Sequence, residues 1–104
     1  MADGRGAERD LQRSLGLLEP LYQENPAEPA VVGDLADCYR GFGDLYASRS
    51  NWKEAQMDYQ KSLDLWERWK QVGVSTVYDR HRREAVSALV ARAAKLSSEK
   101  ALSR

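Results

Sequence analysis

The sequence predicts an all-α fold of about four antiparallel helices joined as hairpins. Apolar residues recur every three or four positions in four successive segments. No segment alternates between apolar and polar residues over a useful length, and no Asn-Gly pair marks a β-hairpin. The connections are short, which places consecutive helices antiparallel. The predicted helices span 7–24, 29–48, 52–71 and 76–97, within one predicted domain, 1–104.

A proline-rich turn separates the first two predicted helices. Pro20 lies inside the apolar pattern of helix 1, where a proline removes a backbone donor and crowds the preceding turn. A kink or an early stop is therefore expected there. The turn at 25–29 ends at Pro29, which suits the first turn of helix 2. The stripe expected to be buried on helix 1 is Leu11, Leu15, Leu18 and Tyr22, widened by Leu17 and Leu21. On helix 2 it is Val32, Leu35, Ala36, Tyr39, Phe42 and Tyr46.

Polar residues and one glycine delimit the last two predicted helices. Asn51 is a suitable N-cap, and Glu54 three residues later completes a capping-box-like signal for helix 3. Gly73 is expected to end helix 3 in the left-handed conformation, and Thr76 with Asp79 opens helix 4. The faces expected to be buried are Trp52, Ala55, Tyr59, Leu63, Trp66 and Trp69 on helix 3, and Val77 or Tyr78, His81, Ala85, Ala88, Leu89 and Leu96 on helix 4.

The middle of the chain follows a known repeat pattern. Gly43 and Ala55 lie where another backbone must come close. The pattern reads Tyr39-x2-Phe42-Gly43-x2-Tyr46, then Ala55-x3-Tyr59-x2-Ser62. It resembles the tetratricopeptide repeat (TPR), which reads Trp-x2-Leu-Gly-x2-Tyr, then Ala-x3-Phe and a late proline. The resemblance covers about residues 36–69. It implies one clear copy with flanking half-repeats in a TPR-like right-handed array.

Composition narrows the possible classes of protein. Hydrophobic residues make up 42% and charged residues 31%, which indicates a globular chain. The 16 basic and 16 acidic residues cancel, so the overall charge gives no nucleic-acid or membrane signal. No apolar run approaches the roughly 18 residues of a membrane span. The single cysteine, Cys38, excludes an internal disulfide, and the first residues lack a signal peptide's apolar segment. A cytoplasmic location is expected.

No pattern in the sequence indicates catalysis, a cofactor or a metal site. A general base needs a partner and a pocket, and nothing at fixed spacing supplies either for the sole histidine, His81. Cys38 lacks an activating base and is expected to be a small buried side chain. Asp34, Asp37 and Asp44 are spread along helix 2 and form no calcium loop. The chain is therefore predicted not to be an enzyme.

The TPR resemblance indicates candidate partner-binding residues. In that family the first helix of each hairpin lines an inner groove, which implies Asp37, Arg40, Asp44 and Ser48 here. Trp66 and Trp69 lie three residues apart near the end of helix 3. Core packing is the default for such residues, and the alternative is that they protrude into an interface, where tryptophan is enriched.

The leading prediction is a non-enzymatic interaction module that binds a protein or peptide through a helical groove or an end face. The charge distribution supports an alternative, since residues 28–67 carry a net −4 and residues 79–104 a net +4. Opposed charges favour pairing between chains. Under this alternative the chain forms a homodimer in which helix 4 is exchanged with a second chain or pairs with it. A further alternative is nucleic-acid binding through the basic residues of helix 4. It is less favoured because no aromatic residues interleave with these basic residues. They are Arg80, Arg82, Arg83, Arg92 and Lys95.

Overall fold

The structure, a computed structural model, describes the backbone of residues 4–71 and 77–102 and the side chains of 6–68 and 80–102. It contains the helices α1 (Gly4–Glu24), α2 (Pro29–Ser48), α3 (Trp52–Gln71) and α4 (Val77–Leu102), and no strand occurs in these ranges. The all-α fold is thus confirmed. The predicted start of α4 and the predicted glycine cap at 73 lie outside the described residues. That residues 1–104 form one domain stays a prediction.

Each helix packs antiparallel against the next one in the chain. At the open end of the first pair, the Arg49 guanidinium after α2 donates to the Glu8 carboxylate on α1, with 2.9 Å between the two atoms. Between α2 and α3, the buried Ser62 hydroxyl donates to the Ala36 carbonyl over 2.7 Å. Between α4 and the α2–α3 turn, the Lys100 ammonium donates to the Ser50 carbonyl over 3.2 Å. These contacts confirm the hairpin array, whereas its handedness stays a prediction.

The core consists of two groups of buried side chains. The smaller group lies near the turn between α2 and α3, and Tyr46 and Leu89 border it. The larger group receives Leu18 and Tyr22 from α1 as partly buried neighbours. The larger group comprises Val32, Leu35, Ala36, Leu65, Trp66 and Val86, and the smaller one Ala55, Tyr59 and Ala93. Residues from α2, α3 and α4 therefore share one apolar interior.

Helix α1 continues through Pro20 to Glu24, so the predicted alternative of an early stop is wrong. A proline inside a helix loses one hydrogen bond and crowds the carbonyl four residues earlier, which here belongs to Gly16. Leu18 and Tyr22, on either side of the proline, both pack against the larger core group. Burial of these two side chains holds the helix together, since packing outweighs local propensity.

Helix α4 buries a different face from the predicted one. His81, Ala85 and Ala88 were expected in the core, but all three are exposed. The buried residues are Val86 and Ala93, each 1% exposed. Leu89 and Leu96 are half-buried, and the side chains of Val77 and Tyr78 lie outside the described residues. Small apolar residues occur on all sides of this alanine-rich helix, so its sequence pattern alone does not select a buried face. Packing against α3 decides which face is buried.

Candidate interaction surface

Four predicted partner-binding residues form one stripe along α2. They recur at spacings of three or four positions, so Asp37, Arg40, Asp44 and Ser48 share a helix face. Arg40 is half-buried and the other three are exposed. We call these four residues the α2 stripe. The structure brings them together, although their binding of a partner stays a prediction.

The N-terminal half of the stripe contacts α4. The Arg82 guanidinium forms an ion pair with the Asp37 carboxylate. The same guanidinium lies over the indole ring of Trp66, 4.6 Å from its centroid. Burial lowers the pKa of Arg82, and the nearby Asp34 carboxylate opposes that shift. Asp37 is therefore oriented by a residue that the sequence indicated only as a possible nucleic-acid contact.

The middle of the stripe is oriented by α3. The Tyr59 hydroxyl donates to the Asp44 carboxylate, with 2.5 Å between the oxygens. Burial raises the pKa of Tyr59, and this hydrogen bond raises it further. The charges of Arg40 and Arg92 act in the opposite direction on the same pKa. The surface between α2 and α4 thus carries both carboxylates and guanidiniums.

The remaining predicted candidates contribute less to this surface. The Ser48 hydroxyl donates to the Leu45 carbonyl within its own helix, over 2.6 Å. Trp66 is 2% exposed and lies in the larger core group, so the core-packing alternative describes it and its side chain is not available at the surface. The side chain of Trp69 lies outside the described residues. The interface alternative is therefore wrong for Trp66.

The raised pKa values of two tyrosines predict that the protein loses stability at high pH. Burial raises the pKa of Tyr39, and its hydroxyl donates to the Glu19 carboxylate over 2.7 Å; Tyr59 behaves likewise. Because the pKa is higher in the folded chain, the unfolded chain loses the proton first, above its ordinary value of about 10. The free energy of unfolding should therefore fall as the pH rises beyond about 10. Denaturant titrations across that range should show a shallower fall for a Tyr39→Phe, Tyr59→Phe double variant. Equal slopes for the two proteins would contradict this assignment.

A depression lies on the side of the molecule opposite the α2 stripe, between α1 and α3. Its volume is about 400 Å³, and Leu35 and Leu65 contribute to its lining. The Lys61 ammonium lies 5.4 Å from the centroid of the Tyr39 ring on its border. Sequence reasoning missed this depression because three helices contribute to it, and no single helical pattern reveals such a junction.

The opposed charges of the chain meet within the molecule. Besides the pair between Arg82 and Asp37, the Arg83 guanidinium lies 4.0 Å from the Glu67 carboxylate. The basic first half of α4 is thus held against the acidic residues of α2 and α3. This arrangement removes the main observation that favoured pairing between chains through α4.

Within 4–71 and 77–102, no group of three or more His, Cys, Asp or Glu residues is placed to hold a metal ion. In the same part of the chain, no helix is both long and apolar enough to cross a membrane.

Comparison with known families identifies the hairpin of α2 and α3. The SHNi-TPR family model matches residues 36–72. This match contains the stretch from Tyr39 to Ser62 and confirms a TPR-type repeat in about one copy. Domains of this kind are in general protein-interaction units and are typically non-enzymatic. No match to the chain was found among curated proteins or solved structures.

Proposed function

We propose, from the match of residues 36–72 to a TPR-type repeat, that the chain is a non-enzymatic module that binds a protein or peptide at the α2 stripe. The observation that supports this site is the orientation of its two carboxylates by other helices. Arg82 of α4 holds Asp37, and Tyr59 of α3 holds Asp44. Side chains fixed before binding lose less conformational freedom when a partner arrives, so more of the contact energy remains as affinity.

The chemistry of the surface suggests what a partner must offer. Asp37 and Asp44 accept hydrogen bonds, so they favour backbone N–H groups or basic side chains of the ligand. Arg40 lies between them along the helix and donates to carboxylates or carbonyls. A partner with both signs of charge at matching positions fits best. Such complementarity contributes mainly specificity and a faster encounter.

The only histidine and the only cysteine support a role without catalysis. His81 is exposed on α4. Cys38 is buried, and its thiol donates to the Leu11 carbonyl, with 3.4 Å between sulfur and oxygen. Burial raises the pKa of the Cys38 thiol, and the charge of Glu19 raises it further. The thiol therefore stays protonated at neutral pH, whereas nucleophilic chemistry requires the thiolate.

Selection from a library of random short displayed peptides tests this site. We expect the selected peptides to bind the wild-type chain and to lose at least about tenfold in affinity, or 1.4 kcal/mol, with Arg40→Glu. The matched control is Lys61→Glu, which makes the same charge change at the depression between α1 and α3, away from the α2 stripe. Asp44→Asn separates charge from geometry, because the amide oxygen still accepts from Tyr59. Peptides that bind Arg40→Glu and Lys61→Glu as well as the wild type would place the binding surface elsewhere.

Self-association is the second candidate function, and it is favoured by the exposure of Leu17 and Leu21 on α1. Helix α4 was the predicted interface, but it packs against α3, and its Arg82 and Arg83 pair with carboxylates of the same chain.

Nucleic-acid binding through α4 has less support, because Arg82 and Arg83 pair with carboxylates. The cytoplasmic location stays a prediction.

A further inference from the structure

Helix α1 exposes two leucines one turn apart, both of which were expected to widen its buried stripe. Leu17 is 65% exposed and Leu21 48%. Among the described residues, only Met57 and Leu102 are comparable large apolar side chains at the surface, and they lie on other helices. A pair on one face is unlike the single surface leucines that soluble proteins tolerate. The pair marks a face of α1 that packing against α2 leaves uncovered.

Opposite charges lie at the two ends of this leucine pair. Arg13 is exposed four residues before Leu17, and Glu24 is exposed three residues after Leu21. These spacings place all four side chains on one side of the helix. We call Arg13, Leu17, Leu21 and Glu24 the α1 stripe. Its charge reverses from Arg13 to Glu24, so the stripe is complementary to a second copy that is turned around. Asp10, exposed one turn before Arg13 on the same side of the helix, lies beyond this pair of charges.

We propose that two copies of the chain form a dimer by antiparallel pairing of their α1 stripes. In this register Leu17 packs on the partner's Leu21, and Arg13 lies beside the partner's Glu24. The two-fold symmetry forms each contact twice, as in other isologous interfaces. Parallel pairing would instead bring like charges together at both ends. The charge pattern therefore selects a second copy as the occupant and fixes its direction.

A depression beside the stripe extends the apolar contact. It has a volume of about 480 Å³ and lies between α1 and α2, where Leu11, Ser14, Leu17 and Leu18 contribute to its lining. A leucine that crosses from the second copy enters this space next to Leu17. The depression also reaches Asp34, Asp37 and Cys38 on α2. The dimer would consequently bring the two α2 stripes to either side of one shared contact.

Light scattering across a concentration range tests the proposal on the full chain. The molar mass should rise from 11.8 kDa towards twice that value as the concentration increases. Arg13→Glu and Glu24→Arg, each alone, should weaken dimerisation at least about tenfold, or 1.4 kcal/mol. Each single variant places like charges together twice. An equimolar mixture of the two variants should dimerise again, because both charge contacts are then attractive.

The remaining outcomes decide against the proposal. A mass of 11.8 kDa at every concentration would show that a second copy does not cover the stripe. A mixture no more dimeric than its components would exclude the antiparallel register. Leu21→Glu should abolish the dimer, whereas Met57→Glu, at a similarly exposed position on α3 (49% against 48%), should not. Circular dichroism confirms that each variant is folded.

This inference develops the self-association candidate, and its failure is distinguishable from failure of the peptide site. The α1 variants are read out by mass, whereas the α2 stripe is read out by peptide affinity. A chain that stays monomeric and still loses peptide with Arg40→Glu would retain the α2 site and lose the dimer. The reverse result would retain the dimer alone.

Discussion

Replacing Gly43 with alanine is expected to destabilise the protein by about 2–3 kcal/mol. A Cβ added at this position would lie 2.5 Å from two ring carbons of Tyr59 and 3.0 Å from a third. The Tyr59 ring is buried, and its hydroxyl is bound to Asp44, so the ring has little freedom to move away. The strain should appear as a lower midpoint in urea-induced unfolding followed by circular dichroism.

Gly33 supplies a matched control in the same helix. A Cβ added there would meet only the Trp66 ring, at an ordinary distance of 3.7 Å. Gly33→Ala should therefore stabilise the protein by about 0.5–1 kcal/mol, because alanine loses less backbone entropy in a helix than glycine does. If both alanine variants shift the midpoint by the same amount, close approach of Tyr59 is not the reason for a glycine at position 43.

Truncating Trp66 to alanine is expected to cost about 3–5 kcal/mol of the free energy of unfolding. The side chain is 2% exposed and belongs to the core group that joins α2, α3 and α4. Arg82 also lies over its ring, so truncation removes a cation–π contact as well as apolar surface. A domain of this length has a total stability of roughly 5–10 kcal/mol, so the variant should be only marginally folded.

Trp52 is the appropriate comparison for this effect. It lies at the first position of α3 and is only partly buried, so Trp52→Ala should cost clearly less than Trp66→Ala. Trp66→Phe should fall between the two, because it retains an aromatic ring in the core. Urea titrations of the three variants provide the ranking. Equal losses for Trp52→Ala and Trp66→Ala would mean that Trp66 is less central to the core than its burial indicates.

The boundaries of the two central helices followed from signals that are local in the sequence, whereas α1 begins at Gly4 and α4 extends to Leu102, outside the predicted bounds of 7 and 97. Prolines and polar residues flank α2 and α3, and both helices occupy the predicted spans, 29–48 and 52–71. The buried face of α4 did not follow, because alanines and leucines occur all around that helix. Which side is buried depends on the large residues of α3, such as Tyr59 and Trp66, that α4 must cover. That information is not local to α4.

The candidate site was predictable only in part for the same reason. The α2 stripe follows from helical spacing together with the TPR resemblance, since its members lie on one helix. The residues that orient it come from other helices. Tyr59 lies 15 positions from Asp44 in the sequence, and Arg82 lies 45 positions from Asp37. No pattern in a single sequence connects such distant residues. The register between helices has to be known first.

The order of packing has a consequence for how the chain folds. Each helix makes most of its contacts with the helix next to it in sequence, from α1 to α4. Such topology keeps the loops that must close short, and proteins of this type fold in microseconds to milliseconds. Helices α2 and α3 each pack extensively against two helices, whereas α1 and α4 each do so against only one in the described part of the chain. Opening should therefore begin at the terminal helices, and the amide protons of the central hairpin should exchange with solvent last.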